Sequence, residues 1–353
     1  MRGALKHTDP PPEDVSFRNL WRFITFSFPY WPSQLAGIVT GLIRVLLGLA
    51  VPWFLKGAID YVANPYLKGE IDAVEAWQSM LWLAGILLAV MAVHAPATLG
   101  RFYFPHRAMA SAVRDIRYRL FAHLQRLSLG FHTQRATGGV VARVISDVQA
   151  AQQSFDIIFV QLTQQIMTAI VVSITMFWID WQWALVAFAA TPIFVVTTRV
   201  IRRPMRRATR KQRETVERMS GRVQERFAMI REVQAFTAEN YEERQVLEDA
   251  EELRRHTLRQ RLLAGFFRSS VEITRYLTVL LVVGFGVYRI LAVPDAGIQV
   301  GDLSLFFMYT MRLLAPLQFF ADLYTRMQIS AAAADRVLEF FDTERDIIDE
   351  PDA

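Results

Sequence analysis

Blocks of apolar residues almost without charge alternate in this chain with long stretches dense in arginine. Residues 81–93, 184–197, 277–293 and 303–320 are nearly free of charged side chains, whereas 101–153 and 199–261 hold most of them. A helix needs about 20 predominantly apolar residues to cross a bilayer. The pattern supplies six candidate spans, near 33–56, 77–101, 154–179, 183–201, 263–293 and 303–323. With 53% hydrophobic residues in such blocks, a disordered chain is excluded and an ordinary water-soluble domain is disfavoured. The predicted class is an all-α membrane protein of six transmembrane helices.

The connections differ in length. Spans 3 and 4 are joined only by Asp180-Trp181-Gln182, and spans 5 and 6 by a short loop around 294–301. The long segments 101–153 and 199–261 carry Arg101, Arg107, Arg114, Arg117, Arg119 and Arg126, then Arg199, Arg202, Arg203, Arg206, Arg207 and Arg210. The short loops carry only Lys68, with Lys56 and Arg289 near span ends. Arginine and lysine collect on the cytoplasmic side, so both long segments and both termini are predicted to be cytoplasmic. Met1–Pro12 is polar and proline-rich and lacks the apolar core of a cleavable signal, which leaves the first span as the insertion signal. Residues 16–31 read as an interfacial helix, with Phe17, Leu20, Trp21, Ile24 and Phe28 on one face.

Both long segments look helical. Proline is absent from 113–127 and from 206–261, and Val216, Met219, Val223, Phe227 and Ile230 recur every three or four positions. A helix of about 25 residues beyond the bilayer reaches roughly 35–40 Å. The plain reading is a solvated stalk. The other is a pair of cytoplasmic hairpins acting as levers whose tips meet a soluble partner.

Composition narrows the chemistry. There is no cysteine, which removes disulfides, thiolate nucleophiles and cysteine-ligated metals. No His-Glu-x-x-His motif is present, and the six histidines form no facing pair at membrane depth, so neither a metalloprotease nor a haem carrier is indicated. A formal charge of +5 beside so much apolar surface favours anionic lipid headgroups over nucleic acid as partner. Only four residues are lysines, followed by His7, Gly57, Gly69 and Gln212, so no G-x-x-x-x-G-K-[ST] phosphate loop exists. The chain has no catalytic site for ATP hydrolysis and no metal site.

Polar groups at membrane depth are costly unless they face a cavity or a partner. Arg44 lies about 16 Å into span 1 at helical rise, and Arg312 is also near mid-depth in span 6. Span 3 carries Gln161, Gln164, Gln165 and Thr168, and span 2 carries His94. These seven are the candidate substrate-cavity residues. The competing reading is internal pairing, which Glu272–Arg275 and Arg326–Asp322 fit by spacing. Pro52, Pro96, Pro192 and Pro316 lie inside spans and each removes a backbone donor, producing a hinge or a fixed bend.

Three stretches carry a family resemblance: Phe131–Val148, Glu225–Glu239, and Gly301-Asp302 through Leu313-Leu314-Ala315-Pro316-Leu317 to Ala331-Ala332-Ala333-Ala334-Asp335-Arg336-Val337. In order and spacing the chain resembles the transmembrane domain of ATP-binding-cassette exporters of the six-helix half-transporter type. His132-Thr133 departs from that family's usual first loop. The resemblance implies a layout of 1–32 as tail and elbow helix, 33–325 as the transmembrane domain with extensions at 101–153 and 199–261, and 326–353 as a linker. It implies coupling helices that seat on nucleotide-binding domains, with Phe131, His132, Arg135, Gly138, Arg143, Ile230, Arg231, Val233 and Phe236 as contact candidates. ATP and Mg are then expected on those partner domains, not here. The sequence stops where the linker would lead into an ATPase domain, and a truncated fragment is expected over an ATPase on a separate chain. A second half, identical to this one, is the other implied partner, with membrane lipid, and Arg44 and Arg312 from both halves would attract an amphipathic, anionic substrate. The implied location is the plasma (inner) membrane of a bacterium. The alternative function is a channel or receptor gated by a separate cytoplasmic subunit.

Overall fold

The computed structural model describes residues 17–134, 141, 143–292 and 297–343. Among them there is no strand. In chain order the helices are α1 (Phe17–Thr25), α2 (Phe28–Leu67), α3 (Ala73–Gln125), α4 (Leu129–Gln134), α5 (Val144–Ile179), α6 (Trp181–Ala228), α7 (Ile230–Ala235), α8 (Glu239–Ala292) and α9 (Val300–Phe341). Six of them, α2, α3, α5, α6, α8 and the first half of α9, are long and apolar enough to cross a membrane. The six-span reading holds. The spans run on as the long segments without interruption: α3 is a single helix of 53 residues and α8 one of 54. Neither segment is helical throughout. The first breaks at 126–128, and the second at Met229 and again at 236–238, with Thr237 at a φ of +49°.

Two of the four flagged prolines coincide with helix breaks. Proline has no N–H for the carbonyl four residues back. Leu49 interrupts α2 three residues before Pro52, and Ala189 interrupts α6 three residues before Pro192. Pro96 and Pro316 stay within continuous helix, as do Pro105 and Pro204.

The chain divides into two compact units, residues 1–180 with 289–353, and residues 181–288. In the first unit α2 packs along α3. The crossing is close because of small residues: a methyl at Gly37 would collide with the Pro105 ring, and one at Gly100 would meet Thr40 Cγ2 at 2.8 Å. Small residues let helix backbones approach where water supplies no hydrophobic drive between helices. At one end of this unit Leu20, Phe23 and Ile24 of α1 form a core with Ala112, Ile116 and Leu120 of α3, Phe155 of α5, and Ala333 and Val337 of α9. Phe23 stacks on Phe155, Phe26 on Phe341, and Arg22 pairs with Asp342 at 2.7 Å. Residues 16–31 are not one helix, since α1 ends at Thr25 and α2 begins at Phe28. The face carrying Leu20 and Ile24 is buried in protein, and Trp21 and Phe28 point outward. A single apolar face read from spacing does not say whether lipid or a neighbouring helix covers it.

At the other end Lys56 is shared by Asp60 at 2.8 Å and Asp302 at 2.7 Å. Asp60 also accepts the Gly301 N–H at 2.8 Å. This ties the end of α2 to the start of α9. Arg289 pairs with Asp180 at 3.1 Å, both largely buried. The flanking charges Lys56 and Arg289 are therefore internally paired.

In the second unit Trp183 is buried, donates its indole N–H to the Val282 carbonyl at 2.8 Å, and lies against Gly286, where a methyl would clash with the ring. Farther along, α6 and α8 are joined by ion pairs of Arg218 with Glu252, Arg222 with Asp249 and Arg226 with Glu242, at 2.5, 2.8 and 2.6 Å. Val216 and Phe227 of the apolar stripe on α6 remain exposed.

Candidate binding cavity and helical tips

Within the first unit a cavity of about 680 Å³ is lined by Arg44, His94, Gln161, Gln164, Gln165, Thr168 and Arg312. The structure thus brings all seven candidate cavity residues together. They come from α2, α3, α5 and α9, so each of these helices contributes a polar residue to the same cavity. Arg44 stands on the α2 face that also carries Gly41, Val45 and Gly48. Glycine matters on this face because the Arg312 guanidinium needs the room: a methyl at Gly48 would come within 3.0 Å of its Nη1 and Nη2.

Arg101, Phe102, His106 and Asp156 also line it and were not among the seven cavity candidates. Arg101 lies over the Phe102 ring at 4.1 Å, a cation–π contact. Asp156 sits 3.7 Å from His106 Nε2 and accepts from Gln161 Nε2. It opens a π-helical stretch, Asp156–Leu162, in which Thr163 Oγ1 reaches the Ile158 carbonyl at 3.0 Å. A π-turn rotates the following side chains relative to an α-helix and recurs at functional sites. Here it brings the side chains of Asp156 and Gln161, five residues apart, together on the cavity wall.

The electrostatics are lopsided. Arg44, Arg101 and Arg312 have no carboxylate within ion-pair distance among the described residues. The Nε atoms of Arg44 and Arg101 and the Oε1 of Gln164 are buried with no hydrogen-bond partner. Gln164 Nε2 donates to Thr168 Oγ1 at 3.1 Å, and Thr168 Oγ1 donates to the Gln164 carbonyl at 2.8 Å. Buried polar atoms are normally satisfied. Three guanidiniums that remain ionised therefore require water or anions in this space.

The pairings read from spacing divide. Arg275 lies 3.7 Å from Glu272. Arg326 donates to Gln161 Oε1 at 3.2 Å, and the Asp322 side chain lies outside the described residues.

The tip candidates fall into two groups. On the second hairpin Ile230, Arg231 and Phe236 are exposed and Val233 is half-buried. Beside them a cavity of about 460 Å³ is lined by Val223, Phe227, Ile230, Val233 and Val246, with Arg226, Glu239, Glu242 and Glu243 also on its wall. On the first, Phe131 is not free to anchor in a partner. It is half-buried, edge-on to Phe340 of α9 at 5.9 Å, and packed on the chain's own core. Arg135, Gly138 and the bend Thr137-Gly138-Gly139 lie outside the described residues, as do the side chains of His132 and Arg143. Two positions quoted in the sequence motifs meet directly: Arg336 Nη2 pairs with Asp147 Oδ1 at 2.9 Å.

A family model described as the ABC transporter transmembrane region matches residues 35–317, and the chain belongs to that family. With six apolar spans it is a multi-pass membrane protein. Among its relatives is YgaD of Bacillus subtilis, whose name describes a multidrug export ATP-binding/permease protein. It is 25% identical over 333 residues, 94% of this chain and 56% of that protein. ABC transporter B family member 1 of Dictyostelium discoideum is 25% identical over 332 residues, 93% of this chain and 35% of that one. A Staphylococcus aureus protein with the same descriptive name as YgaD is 26% identical over 295 residues, 84% of this chain and 50% of its own length. The chain spans about half the length, or less, of these relatives.

Proposed function

We propose that the chain is the membrane half of an ABC exporter. Its spans would form, with a second and identical half, the pathway for an amphipathic, anionic substrate. The observation that carries this is the convergence of Arg44, Arg312, His94 and the span-3 amides on one cavity. The layout follows: residues 1–32 as tail and elbow, 33–325 as the spanning domain, and 326–353 as the linker. Nucleotide-binding domains would seat on the tips of the cytoplasmic extensions and hold ATP and Mg. The residues of this chain do not fit that cofactor, since no lysine sits in a phosphate loop. Relatives with an ATP-binding/permease name support such partners, and their multidrug export names support an exporter of amphiphiles.

Orientation is tested by single cysteines in this cysteine-free chain. With both extensions cytoplasmic, a cysteine at position 68 should react with an impermeant thiol reagent from outside, and cysteines at 135 and 239 should not. External labelling at either of the latter overturns the topology.

Substrate charge is tested in the complete transporter. Arg44→Gln and Arg312→Gln should raise the dodecanoate concentration needed to stimulate ATP hydrolysis by roughly ten- to a hundredfold, the worth of a charge-assisted hydrogen bond. Stimulation by dodecanol should be spared. Equal loss for both amphiphiles would mean that the arginines serve the fold and not the substrate.

A further inference from the structure

The arginines of the cavity form a column along α2. Gly41, Arg44, Val45 and Gly48 occupy the i, i+3, i+4 and i+7 positions of one helical face. The stem of Arg101 lies against Gly41, where a methyl would meet its Cγ at 3.5 Å and its Cδ at 3.7 Å. The guanidinium of Arg312 lies against Gly48, and Arg44 stands between the two. From Gly41 to Gly48 is about 10 Å of helix, so the stem of Arg101 and the guanidinium of Arg312 meet α2 about two turns apart, with the Arg44 position between them in the chain. Asp156 is the sole carboxylate among the described lining residues. Three cations against one carboxylate leave two positive charges uncompensated in each chain.

We propose that this column binds the headgroup of an amphiphile carrying two joined phosphoryl groups, a diphosphate ester. The inference rests on the reading of the cavity as a pathway for anionic amphiphiles, and it names the headgroup. A single carboxylate balances one of the two free charges and reaches one guanidinium fork. A phosphate monoester carries about −1.5 to −2 near neutral pH, enough charge, but it is compact against a column of this length. Two linked phosphoryl groups carry the charge and span neighbouring rungs. One engages Arg44 and Arg312 and the other engages Arg101. Guanidinium forks suit phosphoryl oxygens because they donate two parallel hydrogen bonds. The glycines at 41 and 48 make the room that the Arg101 stem and the Arg312 guanidinium occupy. The unpartnered Gln164 Oε1 accepts from a hydroxyl on the adjoining group, and Val45, Val160, Met311 and Ala315 contact the apolar body.

The test is calorimetric, on the chain assembled with its nucleotide-binding domains, nucleotide-free in phosphatidylcholine nanodiscs at fixed salt. The probes share one tail: dodecyl diphosphate, dodecyl phosphate, dodecanoate and dodecanol. Inorganic pyrophosphate is a separate arm. Dodecyl diphosphate should bind at least about tenfold more tightly than dodecyl phosphate, the size of one charge-assisted hydrogen bond. Arg101→Gln should erase that margin while weakening dodecyl phosphate far less than dodecyl diphosphate, and Arg44→Gln should weaken both. Should Arg101→Gln fail to fold, Arg101→Lys carries the test, since a point charge should keep only part of the margin. Equal affinity for the two phosphoryl probes, insensitive to residue 101, overturns the proposal and leaves the anionic reading standing. Pyrophosphate binding as tightly as dodecyl diphosphate overturns the amphiphile and points to a free anion. Dodecanol binding as tightly as the anions removes the underlying reading itself.

Discussion

Asp60→Ala should lower the stability of the chain by about 3 kcal/mol, the lower end of the range for breaking a buried ion pair. The Asp60 side chain is 1% exposed. It answers the Lys56 ammonium and the N–H of Gly301 in the first turn of α9. Removing it leaves a buried amide without an acceptor and a lysine held by Asp302 alone. The loss is softened because that second carboxylate stays, fixed in a capping box in which its Oδ2 accepts the Gln299 N–H at 2.9 Å. Asp60→Asn is the informative companion. An amide oxygen still accepts from Gly301 but no longer faces lysine with a charge, so Asn should recover part of the loss. Chemical unfolding in detergent micelles measures both. A change within about 0.5 kcal/mol for the alanine variant, the range of ordinary surface substitutions, would show that the triad does not hold the two helices together.

Much of the spanning architecture and most of the cavity were legible in the sequence, for one reason: the bilayer penalises charge so strongly that each exception is a signal. Arg44 and Arg312 stood out against apolar neighbours and met in the cavity. Asp156 obeyed the same rule and was passed over, although it is a charge inside a candidate span. Arg101 was hidden for a different reason. It looked like the cytoplasmic end of span 2, because nothing in the sequence marks where an unbroken 53-residue helix leaves the membrane. The break at Leu49 was foreshadowed by Pro52, and that at Ala189 by Pro192. The π-turn at Asp156–Leu162 has no comparable cue, since a π-turn reflects how neighbours pack and not which residues it contains. Phe131 shows the limit most plainly. An aromatic residue before a glycine-rich bend reads equally well as a partner anchor or as a plug for the chain's own core. What decides is the run Ala331–Ala334, whose four small side chains are all buried and let α9 approach closely enough for Phe340 to meet Phe131.

That distinction separates two phenylalanines that the sequence treats alike, and it makes their alanine variants diverge. Phe236 is 80% exposed, beside the turn at Thr237 and three residues from Val233, which lines a cavity with Phe227 and Ile230. An exposed aromatic ring contributes little to the fold, so Phe236→Ala should leave thermal stability within about 0.5 kcal/mol. If the tip seats in a nucleotide-binding domain, the ring is an anchor of the kind whose truncation costs about 2 kcal/mol or more. Transport by the complete transporter should then fall roughly thirtyfold, and ATP hydrolysis should fall much less, because the hydrolytic groups lie on the partner. Phe131→Ala should do the reverse. Its ring is half-buried against Phe340, so the loss should be about 2 kcal/mol of stability, less than for a fully buried phenylalanine, before any effect on coupling. Equal destabilisation in the two variants would contradict the packing described for them. A parallel decline of transport and hydrolysis in Phe236→Ala would mean that the ring supports the partner's assembly and not the transmission of its movement.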